Sequence, residues 1–385
     1  MMAFALGSGA WAQSGHGSRD WSQFGADAAR TSAPAGPTGI TAANVAALTR
    51  RQVALDGTVD ASAIYLHGAS VKGSIHDTIF VTTTYGKTIA VDANEGSILW
   101  EFTPAGYDSW AGTRQITNST PIADPDRASI YAASPDGVIH KLAVSDGHEV
   151  WHTAITLLPL REKMDSPLSL FRGRLIAVTA GYVGDRPPYQ GHVAVLDAAT
   201  GKLLHVWNSL CSDRAGLIEP SSCQASDSAI WGRAGAVLDA QGDIFVATGN
   251  APWDGKSNWG DAVVELNPDA TRMLANFTPT NTDELNDQDL DIGSTSPVLL
   301  GDGLIAQGGK DSQIRVLNLS AIAGAAPHKG GEQQSVPTPS GEMLFTAPAL
   351  WRPGSGTLLF AADGGGTEAW TFARGKLVSK WKNST

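Results

Sequence analysis

Three stretches of the sequence decide the fold: TIAVDANEGSILW (residues 88–100), VIHKLAVSDGHEVW (138–151) and HVAVLDAATGKLLHVW (192–207). Each contains an alternating apolar strand, a turn with a glycine, and a second strand that ends on tryptophan. Alternation with period two is typical of strands with one buried face, and a unit that recurs every ~50 residues is typical of propeller blades. The pattern predicts an all-β propeller built from four-stranded blades.

The turn of this unit has residues with clear physical roles. Asp92 and Asp197 are placed to accept backbone N–H bonds at the first turn position, and Gly96 and Gly201 supply a positive φ without steric cost. We therefore expect the third strand of a blade to form a hairpin directly with the fourth. The tryptophans at the ends of the fourth strands are interpreted as aromatics that pack between blades, not as cofactor contacts.

Weaker copies of the unit occur at residues 262–277, 313–322 and 367–381. With the clear copies they predict six blades, at residues 59–102, 118–152, 165–208, 228–277, 294–320 and 345–382.

The chain before the blades divides into two parts. Residues 1–12 resemble the end of a signal peptide, because an apolar stretch leads to the cleavage pattern Ala10-Trp11-Ala12. No Lys or Arg precedes that stretch, so a merely apolar terminus is the alternative. Residues 13–58 are expected to form an N-terminal segment with a short helix over residues 41–51, and residues 59–385 the propeller.

Composition restricts the class of protein. The 38 Asp and Glu residues outnumber the 27 Lys and Arg residues, and the net charge of −11 argues against a nucleic-acid partner. No run of 18 apolar residues occurs, so no transmembrane segment is predicted. With the signal-peptide pattern, these observations predict a periplasmic or secreted protein.

The two cysteines, Cys211 and Cys223, lie in one stretch, LCSDRAGLIEPSSC, without a neighbouring Cys or His at metal spacing. In an oxidising compartment a local disulfide is the simplest account of the pair, and two free thiols are the alternative. No C-x-x-C-H motif occurs, so covalently attached haem is not expected.

The chain resembles the quinoprotein alcohol dehydrogenases and the wider family of pyrroloquinoline-quinone (PQQ) repeat propellers. The stretch WSQFGADAARTS is similar to the family's W-x-x-F/Y-G opening, GITAANVAALTRR to its I-x-x-x-N-V-x-x-L, and the repeats to its D-x-x-T-G-x-x-x-W signature. The resemblance implies an eight-bladed propeller. Because only six blades are visible, we expect an incomplete, C-terminally truncated ring.

The resemblance also implies site residues in blades 4 and 5. The stretch SAIWGRAGAVLDAQGDIFVATGNAPW is similar to the one in which a Trp stacks on the quinone and an Asn ligates calcium, which points to Trp231 and Asn250. LDIGSTSPVLL is similar to W-D-Y-x-S-T-x-P-x-x-L and places Asp291 at the catalytic aspartate. GGKDSQIRVLNL is similar to K-N-G-x-x-Y-V-L-D and places Lys310 at the basic residue that contacts the quinone oxygens.

These residue types suit the oxidation of an alcohol. An aromatic floor holds a planar cofactor, and a calcium ion held by oxygen ligands such as Asn250 and Asp291 polarises its carbonyl. Asp291 would remove the substrate's hydroxyl proton while Lys310 stabilises the developing negative charge. The implied function is a PQQ-dependent dehydrogenase for an alcohol, polyol or sugar, working with an electron acceptor.

The sequence departs from the family pattern at Leu290, where the family has Trp, and in three further places. No Glu occurs in AGYVGDRPPYQG, where the family has a calcium ligand and only Asp185 is acidic. Thr120 stands where an Arg that grips a cofactor carboxylate is expected, and the vicinal cysteine pair is missing. The alternative function is a non-catalytic propeller scaffold that binds a protein or ligand in the cell envelope, like the outer-membrane assembly lipoprotein of this fold.

Each candidate residue also has a purely structural interpretation. Trp231 could pack between blades, Asn250 could occupy a turn, and Lys310 could be a hairpin residue. Asp291 could belong to a solvated acidic loop, DELNDQDLD, in which Asp289 competes for its role. Four matches in family order across two blades favour the functional interpretation.

Overall fold

The computed structural model describes residues 19–34, 36–182, 186–354 and 356–384. The predicted signal-peptide remnant and Asp185 lie outside these ranges. The described chain contains six sheets of four antiparallel strands, and in each sheet the strands pair in the order in which they follow one another along the chain. This meander is the architecture of a propeller blade, so the predicted all-β propeller fold is confirmed.

The first three blades begin the ring, and blade 3 also carries a two-stranded sheet formed by β9 and β12. Blade 1 contains β1 (Ile64–Val71), β2 (Ser74–Thr82), β3 (Thr88–Asp92) and β4 (Ile98–Phe102). Blade 2 contains β5 (Ile122–Ala123), β6 (Ser129–Ala133), β7 (Val138–Ala143) and β8 (Glu149–Ala154). Blade 3 contains β10 (Ser169–Phe171), β11 (Arg174–Val178), β13 (His192–Asp197) and β14 (Leu203–Asn208), with β9 (Glu162–Lys163) and β12 (Ala180–Gly181) beside it.

The other three blades follow the same order, and two short α-helices lie in connections between blades. Blade 4 contains β15 (Val237–Leu238), β16 (Ile244–Ala247), β17 (Val263–Leu266) and β18 (Met273–Phe277). Blade 5 contains β19 (Val298–Gly301), β20 (Leu304–Gly308), β21 (Gln313–Asn318) and β22 (Gln334–Pro337). Blade 6 contains β23 (Ala349–Trp351), β24 (Thr357–Ala362), β25 (Gly366–Ala373) and β26 (Lys376–Ser384), and the helices are α1 (Tyr107–Trp110) and α2 (Thr282–Gln288).

Blade 5 differs from the sequence prediction, which ended it at residue 320. Its fourth strand, β22, lies beyond that point, after a connection of residues 319–333. The third strand of this blade is not followed by the turn glycine that closes the hairpin in blades 1 to 3, so the chain makes a long excursion before it pairs again.

The helix predicted over residues 41–51 is wrong. The segment contains only a single 3₁₀ turn, Val45–Ala47, and its side chains are exposed. An isolated helix of this length has no packing energy to stabilise it. The side chain of Asn44 also competes for the backbone, because it accepts a hydrogen bond from Thr41 N at 2.7 Å and donates one to Gly39 O at 2.8 Å.

The predicted turn geometry is confirmed. Asp92 Oδ1 accepts a hydrogen bond from Asn94 N at 2.8 Å, and Asp197 Oδ1 accepts one from Thr200 N at 2.8 Å. Gly96 has a φ of 78° and Gly201 a φ of 74°. The third and fourth strands of these blades therefore join through the expected tight hairpin.

The tryptophan that ends one blade packs on the turn of the next. The Nε1 atom of buried Trp100 donates to Val144 O at 2.9 Å. A Cβ atom built on Gly147, in the turn of blade 2, would lie 2.5 Å from the Trp100 ring, and one on Gly201 would lie 2.6 Å from the Trp151 ring. The interpretation of these tryptophans as packing aromatics is confirmed.

The apolar core is divided among the interfaces between neighbouring blades. One cluster joins Leu66 of blade 1 to Ile130 of blade 2, and another joins Val193 of blade 3 to Val246 of blade 4. Equivalent clusters lie between blades 2 and 3, 4 and 5, and 5 and 6. Each blade therefore depends on its neighbours to bury its two faces.

The N-terminal segment runs along the innermost strands at the centre of the ring. Its backbone hydrogen bonds reach blades that are far apart in the sequence. The pairs are Trp21 with Tyr65 of blade 1, Ser22 with Ala123 of blade 2, Ala28 with Leu238 of blade 4, and Thr31 with Leu350 of blade 6.

Arg30 anchors this segment. Its guanidinium is buried and donates hydrogen bonds to Phe24 O at 2.8 Å, to Leu168 O at 2.8 Å and to Ala234 O at 3.0 Å. Burial lowers the pKa of Arg30 to about 10, with Asp27 opposing the change. The segment thus ties blades 3 and 4 together from the inside.

The predicted disulfide is confirmed, and it closes a loop attached to blade 3. Cys211 is bonded to Cys223, with the two Cα atoms 6.1 Å apart. Asn208 Nδ2 donates to Arg214 O of this loop at 2.8 Å. Among the described residues, no helix is long and apolar enough to cross a membrane.

Candidate functional site

The four predicted site residues lie on one face of the ring. In a four-stranded meander, the connections between blades and the connections between second and third strands emerge on the same side of the sheets. Trp231 and Asp291 precede the first strands of blades 4 and 5, while Asn250 and Lys310 follow the second strands of the same blades. This face is opposite to the glycine turns that close the third and fourth strands.

Buried Asp291 forms an ion pair with the partly buried Lys310. Lys310 Nζ lies 2.6 Å from Asp291 Oδ2 and also 2.6 Å from Asp289 Oδ1. The side chain of Asp291 is fully buried, whereas that of Asp289 is 60% exposed. The interpretation of Asp291 as part of a solvated acidic loop is therefore wrong. Lys310 is more than a hairpin residue, because its ammonium contacts two carboxylates.

Glycines allow the connections that carry these residues to approach one another. A Cβ on Gly309 would lie 2.7 Å from Ile292 Cα and 2.9 Å from Asp291 O. A Cβ on Gly293 would lie 2.4 Å from Thr248 C. Because contacts this short would force the backbone apart, glycine is the residue that lets Lys310 N donate to Asp291 O at 2.9 Å.

A second buried carboxylate, Asp261, belongs to the same cluster. Its Oδ1 accepts a hydrogen bond from Ile292 N at 3.3 Å, and its Oδ2 has no hydrogen-bond partner among the described residues. Burial, followed by the charge of Asp291, raises the pKa of Asp261 to about 8. Sequence reasoning missed this residue, although an acidic residue directly before the apolar strand AVVEL was a detectable signal.

Opposing effects act on the pKa values of Asp291 and Lys310. Burial raises the pKa of Asp291, and the ammonium of Lys310 opposes this effect. Burial lowers the pKa of Lys310, but the carboxylates of Asp291 and Asp289 more than offset it and raise the pKa above its usual value. The backbone N–H of Gly293 also faces Asp291, yet neither oxygen of that carboxylate makes a well-aligned hydrogen bond to a described residue. Asp291 is consequently a buried carboxylate with spare accepting capacity.

Trp231 stands at this face with part of its indole exposed. The ring of Tyr189 contacts it edge-on, with 6.0 Å between ring centroids and 73° between planes. A Cβ on Gly249 would lie 3.0 Å from Trp231 Cδ1, so the indole also packs on the backbone that leads to Asn250. Trp231 packs against a small cluster of Ala180, Tyr189 and Ala229, whereas Trp100 belongs to one of the large clusters between blades.

Asn250 lies on the connection between β16 and β17, which also carries Asp261. Its backbone oxygen accepts a hydrogen bond from Ser228 N at 3.0 Å, and Gly249 O accepts one from Asp261 N at 3.0 Å. The side-chain amide of Asn250 makes no hydrogen bond to another described residue. The backbone beside Asn250 thus contacts Asp261, and no described residue occupies the amide that could bind a ligand.

A cavity of about 250 Å³ lies at the mouth of the central channel, on the same face. Its polar lining includes Asp60, Asp165 and Arg233. Arg233 Nη2 lies 3.6 Å from Asp60 Oδ1, and Lys163 Nζ lies 2.9 Å from Asp165 Oδ1. Sequence reasoning missed these charges because each comes from a different blade.

Two positions at which the sequence departs from the quinoprotein pattern, Thr120 and the missing calcium-ligating Glu, are occupied by contacts within the protein. Thr120 Oγ1 accepts a hydrogen bond from Ser62 N at 3.0 Å, which joins blades 1 and 2. Glu162 reaches the region where no Glu was found in the sequence, and its oxygens accept from Gln190 N at 3.0 Å and contact His192 Nε2 at 3.2 Å. Both Glu162 and His192 are fully buried, so this carboxylate is already committed to the protein interior.

The groups at this face offer a planar quinone an aromatic surface and a cation. A partly exposed indole and the ammonium of Lys310 are groups that a stacked, oxygen-rich ligand requires. The carboxyl group of Asp261, whose pKa is raised to about 8, can donate a hydrogen bond to such a ligand in its protonated form. In the part of the chain that the structure describes, no group of three or more His, Cys, Asp or Glu side chains could hold a metal ion. The ammonium of Lys310 also lies against the Asp291 oxygen that a cation would need. Calcium bound by Asn250 and Asp291 therefore stays a prediction.

Comparison with curated proteins gives relatives of low identity. Polyvinylalcohol dehydrogenase of Sphingopyxis sp. (strain 113P3) is 21% identical over 210 residues, which are 51% of this chain and 31% of that protein. Polyvinylalcohol dehydrogenase of Pseudomonas sp. is 23% identical over 211 residues, which are 50% of this chain and 31% of that protein. The chain thus matches about a third of the length of these relatives.

Solved structures agree on the fold. Quinohemoprotein alcohol dehydrogenase from Comamonas testosteroni superposes with a TM-score of 0.64 at 16% identity, over 95% of this chain and 67% of that one. A europium-containing methanol dehydrogenase superposes with a TM-score of 0.60 at 14% identity, over 95% of this chain and 73% of that one. At this identity the likeness shows the quinoprotein propeller fold and not the activity.

A family model completes the comparison. The model described as outer membrane protein assembly factor BamB matches residues 12–209, about half of the chain. This match covers the N-terminal segment and the first three blades, where the tryptophan-ending repeats are clearest. The chain belongs to the family of PQQ-repeat, quinoprotein-like β-propellers.

Proposed function

We propose that this protein is a PQQ-dependent dehydrogenase that oxidises an alcohol, polyol or sugar in the periplasm or outside the cell. The observation that carries the proposal is the ion pair of buried Asp291 with Lys310, on the same face as the partly exposed Trp231. The polyvinylalcohol dehydrogenase relatives support an alcohol as the substrate class.

The residues divide the work of binding. Trp231, held edge-on by Tyr189, offers an indole face on which a planar ring can stack. Lys310 offers an ammonium to the oxygens of that ring. Asn250 offers an amide that no other described residue binds. When bound, the quinone would accept the hydride from the carbon that bears the substrate's hydroxyl group.

Asp291 is the group suited to take the hydroxyl proton. Its buried carboxylate has a raised pKa, so it is a stronger base than an exposed aspartate. Lys310 stabilises its charged form before the transfer and would stabilise negative charge on the substrate oxygen during it. Burial keeps water away from the Asp291 carboxylate, which strengthens its interaction with Lys310.

Reconstitution tests the proposal. Purified protein is titrated with PQQ, with and without calcium, while quinone absorbance, binding heat and dye-linked oxidation of alcohols and sugars are followed. We expect saturable quinone binding and alcohol-dependent dye reduction. The absence of any spectral change and of any binding heat would reject the dehydrogenase.

Two substitutions separate the roles of the carboxylates. Asp291→Asn is expected to lower kcat by at least a hundredfold while quinone binding is retained, because it removes the proton acceptor. Asp289→Asn is the matched control, since Asp289 contacts the same ammonium from an exposed position. Equal activity of Asp291→Asn and the unaltered protein would show that another group is the base.

A non-catalytic scaffold is the second candidate. It is favoured by large apolar side chains that blade 6 leaves in solvent, among them Trp351, 52% exposed, and Trp381, 44% exposed. The same titration decides between the candidates, because a scaffold has no need to bind the quinone.

A further inference from the structure

A cavity of about 430 Å³ opens on the ring face that carries the candidate site, but between blades 2 and 3. Three separate connections line it, and each contributes an arginine. Arg114 comes from the connection between blades 1 and 2, Arg161 from that between blades 2 and 3, and Arg186 from the one between β11 and β13. This volume is in the range of cavities that hold small molecules.

The wall of this cavity is held by hydrogen bonds between the connections. Gln115 Nε2 donates to Pro159 O at 3.1 Å and lies 3.3 Å from Pro135 O. The hydroxyl of buried Tyr182 donates to Pro135 O at 2.6 Å. Because both side chains use the carbonyls of the same two prolines, the connections that carry the arginines are fixed relative to one another.

Among the described residues, the three guanidinium groups have no counterion. In the described chain, Arg114, Arg161 and Arg186 have no ion pair and no side-chain hydrogen bond, and no Asp or Glu lines the cavity. The protein carries 38 acidic against 27 basic residues, so carboxylates are abundant elsewhere. Three unpaired cations that converge on one cavity of an acidic protein therefore indicate an anionic ligand.

We propose that this cavity is a binding site for a small molecule that carries two or more oxyanion groups, either carboxylates or phosphates. The planar guanidinium pairs with such groups through two parallel N–H···O bonds, and three arginines from three connections suit a ligand with several of them. Exposed Leu160 adds an apolar contact at the rim.

The cavity is near the candidate site but separate from it. Gly181, next to Tyr182, lies against the ring of Tyr189, where a Cβ would come within 2.8 Å, and Tyr189 in turn contacts Trp231. No lining residue of the cavity belongs to the candidate site. The proposal consequently does not depend on the dehydrogenase activity.

Isothermal titration calorimetry on the full chain tests the site. Citrate serves as the polycarboxylate, pyrophosphate as the polyphosphate, and glucose as an uncharged molecule of similar size. We expect citrate or pyrophosphate to bind and glucose not to bind, with affinity that falls as salt is raised. The stronger of the two anions shows which oxyanion chemistry the site prefers.

Substitutions locate the binding. Arg161→Gln should weaken binding about tenfold, since a charge-assisted hydrogen bond is lost while the half-buried side chain has no structural partner. Arg50→Gln is the matched control, because Arg50 is exposed and unpaired in the described chain but far from the cavity in sequence. It should bind like the unaltered protein.

Two results would overturn the proposal. One is the absence of binding heat with both citrate and pyrophosphate. The other is equal affinity in the Arg161→Gln and Arg50→Gln proteins, which would assign the binding to diffuse surface charge. Trp231→Phe should leave citrate and pyrophosphate binding unchanged, and a loss of binding in that variant would move the anion to the candidate site and contradict a separate cavity.

Discussion

The contact between a turn glycine and the preceding blade's tryptophan shows how one residue serves two purposes. Gly201 needs its positive φ to close the hairpin, and its missing Cβ also makes room for the Trp151 ring. The sequence pattern indicated the first purpose. The second becomes visible only when neighbouring blades are placed side by side.

The two purposes can be separated experimentally. Gly201→Ala is expected to lower the free energy of unfolding by about 2 to 4 kcal/mol, the sum of backbone strain and a ring overlap at 2.6 Å. Gly173→Ala is the matched control, because Gly173 has a φ of 76° but open space around its Cβ position. Urea unfolding followed by tryptophan fluorescence measures both, and equal losses would show that the ring contact contributes nothing.

The ion pair of the candidate site makes a prediction about stability that needs no cofactor. Lys310→Met should lower the free energy of unfolding at pH 7 by about 3 kcal/mol, because it leaves the carboxylate of Asp291 buried without its cation. Asp291→Asn added to this variant should recover most of the loss. Urea unfolding of the single and double variants measures the coupling, and additive losses would mean that the two side chains do not interact.

At the scale of the single strand, β17 of blade 4 carries an unusual carboxyl group. Glu265 lies opposite Phe245 on the neighbouring strand. Burial, followed by the charges of Asp243 and Asp239, raises the pKa of Glu265 to about 7. The folded protein therefore binds a proton at Glu265 more tightly than the unfolded chain does.

This shift fixes the sign of a pH effect. Protonated Glu265 contributes its full stabilisation below a pH near 4.5, the pKa of this carboxyl in the unfolded chain. The stabilisation is lost as the pH rises through the pKa of about 7 in the folded protein. Glu265→Gln should remove that loss and make the protein more stable at pH 8 by roughly 1 to 2 kcal/mol, after allowance for partial exposure. Unfolding in urea at pH 5 and pH 8 measures it, with Glu219→Gln at an exposed position as control. The same pH dependence in both variants would contradict the assignment.

At the scale of the whole molecule, two systems of contacts hold the ring together. The apolar clusters join each blade only to its neighbours, as in other repeat proteins. The N-terminal segment adds contacts at the centre that skip along the ring, from blade 1 to blade 6. The side chain of Arg30 alone donates hydrogen bonds to three backbone carbonyls, in the N-terminal segment and before blades 3 and 4.

Removal of that side chain should therefore affect several blades at once. Arg30→Met leaves the carbonyls of Phe24, Leu168 and Ala234 without their donor, and we expect a loss of at least ~3 kcal/mol in the free energy of unfolding. Arg50→Met, at an exposed position, should have little effect. Thermal unfolding by circular dichroism, with limited proteolysis of the N-terminal segment, checks both, and an unchanged midpoint for Arg30→Met would show that the segment is not an anchor.

Much of the candidate site was predictable only through resemblance to the family. The order of Trp231, Asn250, Asp291 and Lys310 along the chain indicated a shared face, and the meander topology places them there. Asp261 was missed, because its burial depends on the approach of two blades. The long connection in blade 5 was missed for a similar reason, since nothing local marks where the fourth strand resumes.

The sequence by itself determined the blade: strand alternation, Asp and Gly turns, and a terminal tryptophan are local features, and local physics is enough to interpret them. Tertiary structure alone decided which charged groups meet. Lys310 pairs with Asp291 because two connections of blade 5 approach each other where glycines permit. Three arginines face one cavity because connections of neighbouring blades converge there. The separation of these residues along the chain carries no information about that convergence, which follows from the packing of one blade on the next.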